Sequence, residues 1–554
     1  MRIALAQVNS WLGDFSLNRE KILQATKTAA AQGCELVLFP EASLFGYHPC
    51  DLLERKTVVQ AQLEELKKLQ QQIPKGIALL VGAIGLNPRP EGKAFTNAAV
   101  FLERGKKSQW FAKQLLPTYD VFDESRHIQP GQVKDNVLRW KGRKILVTIC
   151  EDIWAWPRPG AMRSASYSKN PLKEVKRPVD LVLNMSASPF TQTKMSQRLR
   201  VVKATAAHFN APMVYVNMVG GQDELIFDGA SFAIDAKGKV LAQCGRFCED
   251  LKVLDLNFKS FKKKPSNANE KSGFLLKAQL PQESIEVLRQ SIILGMKDFA
   301  LKNGFRKFHL GLSGGIDSAV VACLAVDVVG ADRVQAFALP GPFSAPQSLS
   351  LAQKLADNLK IELKSISIDP LYQLATRTLD QHLGATAFGV MHENMQARLR
   401  SLLLMAVANR DNSLLLATSN KSELATGYST LYGDMCGGLM PIGDLLKKEV
   451  YELAEFYNRQ REIIPRALID RPPTAELRPN QRDDDTLPPY VTLDPIVHDL
   501  VEGYQPAKSK TEQDVLQRLM RSEFKRWQAA PILKLSDHGF GRGRRLPLAH
   551  KAYY

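Results

Sequence analysis

What this sequence lacks narrows its function before any motif is read. No apolar run reaches the roughly 18 residues that a membrane-spanning helix requires, and the longest candidate, around Val320–Val329, is interrupted by Asp327. The opening Met1-Arg2-Ile3-Ala4-Leu5-Ala6-Gln7-Val8 reads as a strand and lacks the long apolar core of a signal peptide. Both absences predict a cytoplasmic protein with no membrane partner. Cysteine is scarce: seven residues, an odd number, with no Cys-x-x-Cys pair, which excludes a disulfide framework and a zinc ribbon. Cys244 and Cys248 stand four apart without a histidine or a second cysteine pair to complete a site. Nine histidines show no His-Glu-x-x-His spacing, so no protein-built transition-metal site is expected. Internal repeats are also missing, which excludes solenoid architectures.

What is present fits a soluble enzyme of more than one domain. A chain of 554 residues exceeds what one ordinary core accommodates. Hydrophobic residues at 45% and charged residues at 24% match globular proteins rather than disordered ones. The net charge of +17 suits anionic small molecules or nucleic acid. Its densest runs, Lys262-Lys263-Lys264 and Arg542-Gly543-Arg544-Arg545, are short and carry no interleaved aromatics. RNA binding therefore stays open on charge alone.

Up to residue 257, short Val/Ile/Leu-rich runs bounded by turn residues alternate with helical patterns. Strands are expected at Glu35–Phe39, Ile77–Ile84, Ile145–Ile149, Leu181–Leu183 and Met213–Val216. Helices are expected at Asn18–Ala31 and Val58–Gln72, and hairpins at Ala98–Phe111 and Ala230–Leu241. Strands apolar on both faces, with helices between them, predict a layered α/β domain. Residues 258–283 lose all periodicity and read as a linker. A second α/β pattern fills 284–554: strand Phe308–Leu312, helix Ser318–Val329, strand Arg333–Leu339, helix Pro346–Leu359, then strands at Glu362–Ile368 and Leu414–Thr418. That alternation predicts a doubly wound parallel sheet with ligands at the carboxyl ends of its strands.

Three reactive side chains in the first domain follow predicted strands directly: Glu41, Lys113 and Cys150. Together they can hydrolyse an amide. The nucleophile is a thiolate, so Cys150 needs a base or a cation nearby. Glu41 can take the thiol proton and later activate water, and Lys113 can stabilise the tetrahedral oxyanion. In the second domain, strand, Gly311-Leu312-Ser313-Gly314-Gly315-Ile316-Asp317-Ser318, then helix is a phosphate cradle. Asp317 would repel phosphate unless a divalent cation lay between them, which implies Mg²⁺. The loop lacks the Gly-Lys-Ser/Thr ending of a Walker A motif, which argues against ordinary γ-phosphate cleavage.

Phe39-Pro40-Glu41, Lys113-Gln114-Leu115-Leu116-Pro117-Thr118-Tyr119, Phe122-Asp123-Glu124 and Ile149-Cys150-Glu151-Asp152 resemble the nitrilase-like carbon–nitrogen hydrolases over residues 1–257. The resemblance implies an α-β-β-α sandwich with a Glu–Lys–Cys triad, and glutamine contacts at Tyr119, Ser188 and Lys194. The loop Ser313–Ser318 is similar to that of enzymes that split ATP into AMP and pyrophosphate while adenylating a carboxylate. Glu393–Arg400, Thr418–Glu423, Thr430–Met435, Arg471–Leu477, Asp484–Tyr490 and Phe540–Arg545 resemble NAD synthetases over roughly 280–554.

From that second resemblance follow an adenine-nucleotide α-hydrolase-like fold, ATP contacts at 311–318 and Thr418, and deamido-NAD⁺ contacts at Asn394, Glu423, Asp434, Lys447 and Lys534. It also implies Mg²⁺ on Asp317 and Glu423, and a homo-oligomer built on synthetase-domain dimers. Two positions depart from the family pattern: Ser419 replaces the usual Gly, and Leu339-Pro340-Gly341-Pro342-Phe343-Ser344 matches only approximately. The combined resemblance is to the glutamine-dependent NAD synthetases, with glutamine, ATP and deamido-NAD⁺ as partners and no nucleic acid. Another carbonyl acceptor on the same adenylating loop, or an RNA-binding role, are the alternatives.

Overall fold

The computed structural model describes residues 1–157, 167–258 and 284–550. The expected linker, with its Lys262–Lys264 run, lies outside the described residues from position 259 onward. The chain forms two compact units, Met1–Gln222 with Ile226–Pro281, and Asp223–Leu225 with Gln282–Tyr554.

The first unit is built on two six-stranded sheets. One runs in the order Asp250–Asp255, Arg2–Gln7, Leu36–Leu38, Ala78–Leu86, Phe95–Leu102, Gln109–Ala112. The other runs Val240–Gln243, Phe232–Ile234, Met213–Asn217, Leu181–Ser186, Arg143–Ile149, Val137–Trp140. In both, the central strands pair in parallel and the outer ones antiparallel. The two-residue period of a strand decides which layer each side chain joins. Ile3, Leu5, Leu36, Leu38 and Leu80 share a core with Ile145, Val147, Leu181 and Leu183 of the other sheet. Their neighbours Ala4, Ala6, Val37, Leu79 and Val81 pack instead with Ile22, Leu66 and Leu69 of the helices Phe15–Ala31 and Lys56–Gln72. Helix Lys194–Phe209 covers the second sheet through Val201, Val202, Ala206 and Phe209. The layers are therefore α-β-β-α. Strand Asp250–Asp255, antiparallel to the N-terminal strand, has no counterpart in the sequence reading; three of its six residues, Asp250, Lys252 and Asp255, are charged, which hides the signal of an edge strand.

The second unit has a four-stranded parallel sheet in the order Glu362–Ser365, Val334–Ala338, Phe308–Gly311, Leu414–Leu415. The chain winds outward from Phe308–Gly311 and then returns to place Leu414–Leu415 on its other side. The switch point thus falls between these two strands, where an open α/β sheet presents a ligand crevice. Helix Ile316–Val329 begins two residues earlier than expected, and nine of its fourteen residues are buried. Among the described residues no helix is long and apolar enough to cross a membrane.

Gly82, in the strand Ala78–Leu86, packs directly against the backbone that carries Glu41. A Cβ there would stand 2.2 Å from the Ala42 nitrogen and 2.5 Å from the Pro40 oxygen. Neither is the end of a flexible side chain. Gly82→Ala is expected to lose about 1–3 kcal/mol of stability, the usual cost of overpacking. A urea unfolding midpoint no lower than that of the parent chain contradicts this packing.

Candidate functional site

Glu41, Lys113 and Cys150 each follow a strand end, and the fold brings them together. Lys113 is fully buried, and its Nζ donates to Glu41 Oε1 at 2.7 Å and to Glu124 Oε1 at 2.7 Å. Asn97 donates to Glu41 Oε1 at 2.7 Å, and the Ala187 amide donates to Glu41 Oε2 at 2.9 Å. Tyr47 donates to Glu124 Oε1 at 2.6 Å. Backbone on both sides is constrained: Ala42, next to Glu41, has φ of +48° and Cys150 has φ of +42°. Non-glycine residues held in this region mark places where the surroundings override local preference.

Charge in this cluster follows from burial. Burial works against the Lys113 ammonium, but Glu124 and Glu41 outweigh it and hold its pKa well above the ordinary lysine value. Burial also raises the Glu41 carboxyl, with Lys113 pulling the other way and Glu124 adding to the rise. The Cys150 thiol is pushed well up by burial and then by Glu41, which Lys113 offsets only in part. Burial thus holds the Cys150 thiol toward its neutral form.

Sequence reasoning assigned no role to Glu124 or Asp152. Glu124 stood within a quoted motif, but only the fold reveals it as the second carboxylate on Lys113. Asp152 Oδ1 accepts the amides of Gln114 and Leu115 at 2.9 Å each, and its Oδ2 accepts that of Ile149 at 3.0 Å. It thereby ties the chain after Lys113 to the strand before Cys150. Burial raises its carboxyl to about 7 despite these amides.

The expected glutamine contacts surround the same turn. Tyr119 donates to Glu151 Oε1 at 3.0 Å, and the Lys194 ammonium stands 4.5 Å from the Trp154 ring centre. Ser188 adjoins Ala187, whose amide holds Glu41; its own amide donates to Asn217 Oδ1 at 2.9 Å. Buried Arg198 supports this segment, donating to the carbonyl of Ser188 at 2.7 Å and pairing with Asp228 at 2.6 Å.

At the switch point of the second unit, serines lace the loop 313–318. Ser318 Oγ accepts the Ser313 amide at 3.3 Å and donates to the Gly315 carbonyl at 2.9 Å. Gly314 has φ of +79°, and a Cβ on it would lie 2.5 Å from the Ser348 carbonyl oxygen. Gly311 ends the preceding strand, Leu312 follows it, and Ile316 and Asp317 open the helix. Asp317 faces a cluster: Lys447 Nζ donates to Asp317 Oδ2 at 2.6 Å and to Glu423 Oε1 at 3.3 Å, and Asn420 Nδ2 donates to Asp317 Oδ1 at 2.8 Å. Glu423 is pushed up to about 8 by burial and by Asp317, with Lys447 opposing. Burial opposes the charge of Lys447, but Asp317 and Glu423 together hold its pKa above the ordinary value.

Thr418 and buried Ser419 follow the strand Leu414–Leu415 into this crevice. Thr430 joins two further expected residues: its hydroxyl donates to Asn394 Oδ1 at 2.7 Å and its amide to Asp434 Oδ1 at 2.6 Å. Burial raises Asp434 to about 6. The Lys534 ammonium donates to the carbonyls of Ser536 and Asp537 at 2.7 and 3.2 Å. Asn420 and Asp483 were missed. Asn420 is the N-cap of helix Lys421–Thr426, in a capping box with Glu423 that its spacing announces. Asp483 precedes the matched segment Asp484–Tyr490; it is buried and accepts Tyr490 Oη at 2.9 Å.

Comparison with known proteins agrees with both halves. The carbon-nitrogen hydrolase family model matches residues 2–264, and the NAD synthase model matches 288–529. A glutamine-dependent NAD(+) synthetase of Synechocystis sp. is 43% identical over 559 residues, covering 99% of this chain and 98% of that one. The chain belongs to the glutamine-dependent NAD(+) synthetases. Another such synthetase, from Thermotoga maritima, is 37% identical, with 100% of this chain and 99% of that one covered. The Acinetobacter baumannii glutamine-dependent NAD+ synthetase, solved in complex with ADP, superposes with a TM-score of 0.75 at 31% identity, covering 99% of this chain and 98% of that one. This family membership, rather than charge, sets aside RNA binding and other carbonyl acceptors.

The state of Cys150 in the free synthetase yields a pH prediction. Only thiolate is alkylated, and a raised pKa makes thiolate scarce until high pH. Iodoacetamide labelling of the Cys150 peptide, followed by mass spectrometry, is expected to keep accelerating up to and beyond the ordinary thiol range. A rate that levels off below pH 8 contradicts a neutral resting thiol.

Proposed function

We propose that the first unit hydrolyses glutamine through Cys150, Glu41 and Lys113, and that the second uses the ammonia to amidate deamido-NAD⁺ at the expense of ATP. The observation that carries this reading is one arrangement built twice. In each unit a buried lysine is held between two carboxylates, beside a cysteine in one and a phosphate loop in the other.

In the first unit Tyr119, Ser188 and Lys194 hold glutamine with its side-chain amide against Cys150. Glu41 takes the thiol proton as sulfur attacks the amide carbon, and the Lys113 ammonium faces the oxyanion that forms. The amide nitrogen leaves as ammonia, protonated through Glu41, and a γ-glutamyl thioester remains. Water, deprotonated by Glu41, then releases glutamate and restores the thiol.

In the second unit the loop 311–318 and Thr418 hold ATP, while Asn394, Glu423, Asp434, Lys447 and Lys534 hold deamido-NAD⁺. The nicotinate carboxylate attacks the α-phosphorus, pyrophosphate leaves, and ammonia displaces AMP from the adenylated carboxyl. Asp317 and Glu423 would hold Mg²⁺. Their hard oxygens suit it, and the Lys447 ammonium drawn between them marks where these carboxylates need positive charge. When bound, the ion offsets charge on the phosphates. Lys447 and the loop amides add fixed positive potential where phosphate charge grows.

A homo-oligomer is supported by Leu374, Leu383 and Leu402, which are 58%, 75% and 62% exposed on helices Asp369–Leu383 and Val390–Asp411. Residues 397–409, apolar at helical spacing, divide between core and surface: Val407 joins the core, and Leu402 faces outward.

Two measurements test this reading. Cys150→Ala is expected to lose glutamine-dependent NAD⁺ formation by at least about 10³-fold, as removal of a covalent nucleophile does, while keeping synthesis from ammonium. Loss of both activities in a folded variant, or of neither, overturns the assignment. Leu402→Glu is expected to shift the sedimentation profile of the full chain toward monomer. A parent chain already monomeric at micromolar concentration contradicts the proposed oligomer.

A further inference from the structure

We propose that Lys421 is a positioning residue for the dinucleotide substrate, holding the loop 534–538 so that Lys534 is aimed at the synthetase site. The proposal rests on the assignment of Lys534 to deamido-NAD⁺. Lys421 opens the helix whose N-cap, Asn420, bonds Asp317, so its backbone belongs to the ATP side of the crevice. Its side chain runs the other way and is only 2% exposed. The ammonium stands 3.0 Å from Asp444 Oδ1, and donates to Glu502 Oε1 at 2.5 Å and to Ser536 Oγ at 3.1 Å.

Those two carboxylates hold the loop that follows Lys534. Asp444 Oδ2 accepts the amides of Leu535 at 2.7 Å and Ser536 at 2.8 Å, and Ser536 Oγ donates to Asp444 Oδ1 at 2.9 Å. Glu502 Oε2 accepts the His538 amide at 2.9 Å. The segment has no helix or strand of its own, so these charge-assisted bonds fix its path. Lys534 in turn donates to the Ser536 and Asp537 carbonyls of the same loop. A shift of the loop is therefore a shift of Lys534. Without Lys421, Asp444 and Glu502 would repel each other in a buried space. The resulting displacement would fall on the dinucleotide contact rather than on the serine-laced loop 313–318.

The test uses the full chain with ammonium as nitrogen source and compares Lys421→Met, Ser536→Ala and Lys534→Ala. Loss of a charged hydrogen bond suggests that Lys421→Met raises KM for deamido-NAD⁺ by about 10-fold or more, and Ser536→Ala by about 3- to 10-fold. KM for ATP and kcat should change by less than about 3-fold, the split expected when only uniform substrate binding is lost. A merely structural lysine would lower the melting temperature without moving one KM and sparing the other. Should Lys421→Met fail to fold, Ser536→Ala decides by the same split. If Lys534→Ala raises KM for deamido-NAD⁺ while Lys421→Met and Ser536→Ala do not, the positioning role is wrong. If Lys534→Ala leaves that KM unchanged, the assignment of Lys534 itself fails, and the proposal with it.

Discussion

A lysine ammonium buried between carboxylates governs this molecule. Taking such charges out of water costs several kcal/mol per ion, and only close, well-directed partners offset it. Among the described residues the chain accepts that cost three times. Lys113 sits between Glu41 and Glu124, Lys447 between Asp317 and Glu423, and Lys421 between Asp444 and Glu502. In each case the carboxylates come from segments far apart in sequence, so the ion cluster forms only when the fold is complete. Each cluster sets two carboxyl groups against one ammonium, and burial raises Glu41 and Glu423 despite the lysine beside them.

In the first unit burial, with Glu41 adding to it, pushes the Cys150 thiol well up, and Lys113 offsets this only in part. In the second unit burial and the neighbouring Asp317 push Glu423 up to about 8, against the pull of Lys447. The third cluster touches no reacting atom in this account. Its charges are spent on backbone amides, which is how a loop without secondary structure acquires a fixed path.

Much of this was legible in the sequence because it lies next to regular structure. Helix Pro346–Leu359 has the bounds its periodicity gave, and Glu41, Lys113 and Cys150 stand one to three residues beyond their strands. Local pattern places a residue at the end of a strand, and sheet topology then gathers the ends. Partners supplied by loops left no such signal. Glu124 follows no strand, Asp444 and Glu502 resemble surface acids, and Asp483 hides in an acidic triplet. Their burial is a property of long-range packing, which no local window contains. The strand expected to reach Thr418 ends at Leu415 because the next residues bond the segment around Leu439 instead, Leu416 by an isolated bridge and Ala417 by its amide.

The central claim is that the glutamine nitrogen and an adenylated carboxylate meet on one chain. Isotope transfer tests it most directly. Glutamine labelled with heavy nitrogen at its side-chain amide, and deamido-NAD⁺ labelled with heavy oxygen in its nicotinate carboxylate, are turned over together with ATP and Mg²⁺. The account predicts heavy nitrogen in the carboxamide of NAD⁺ and one heavy oxygen in the phosphate of AMP. AMP free of the label would contradict adenylation of the carboxylate, and NAD⁺ free of heavy nitrogen would contradict transfer from glutamine.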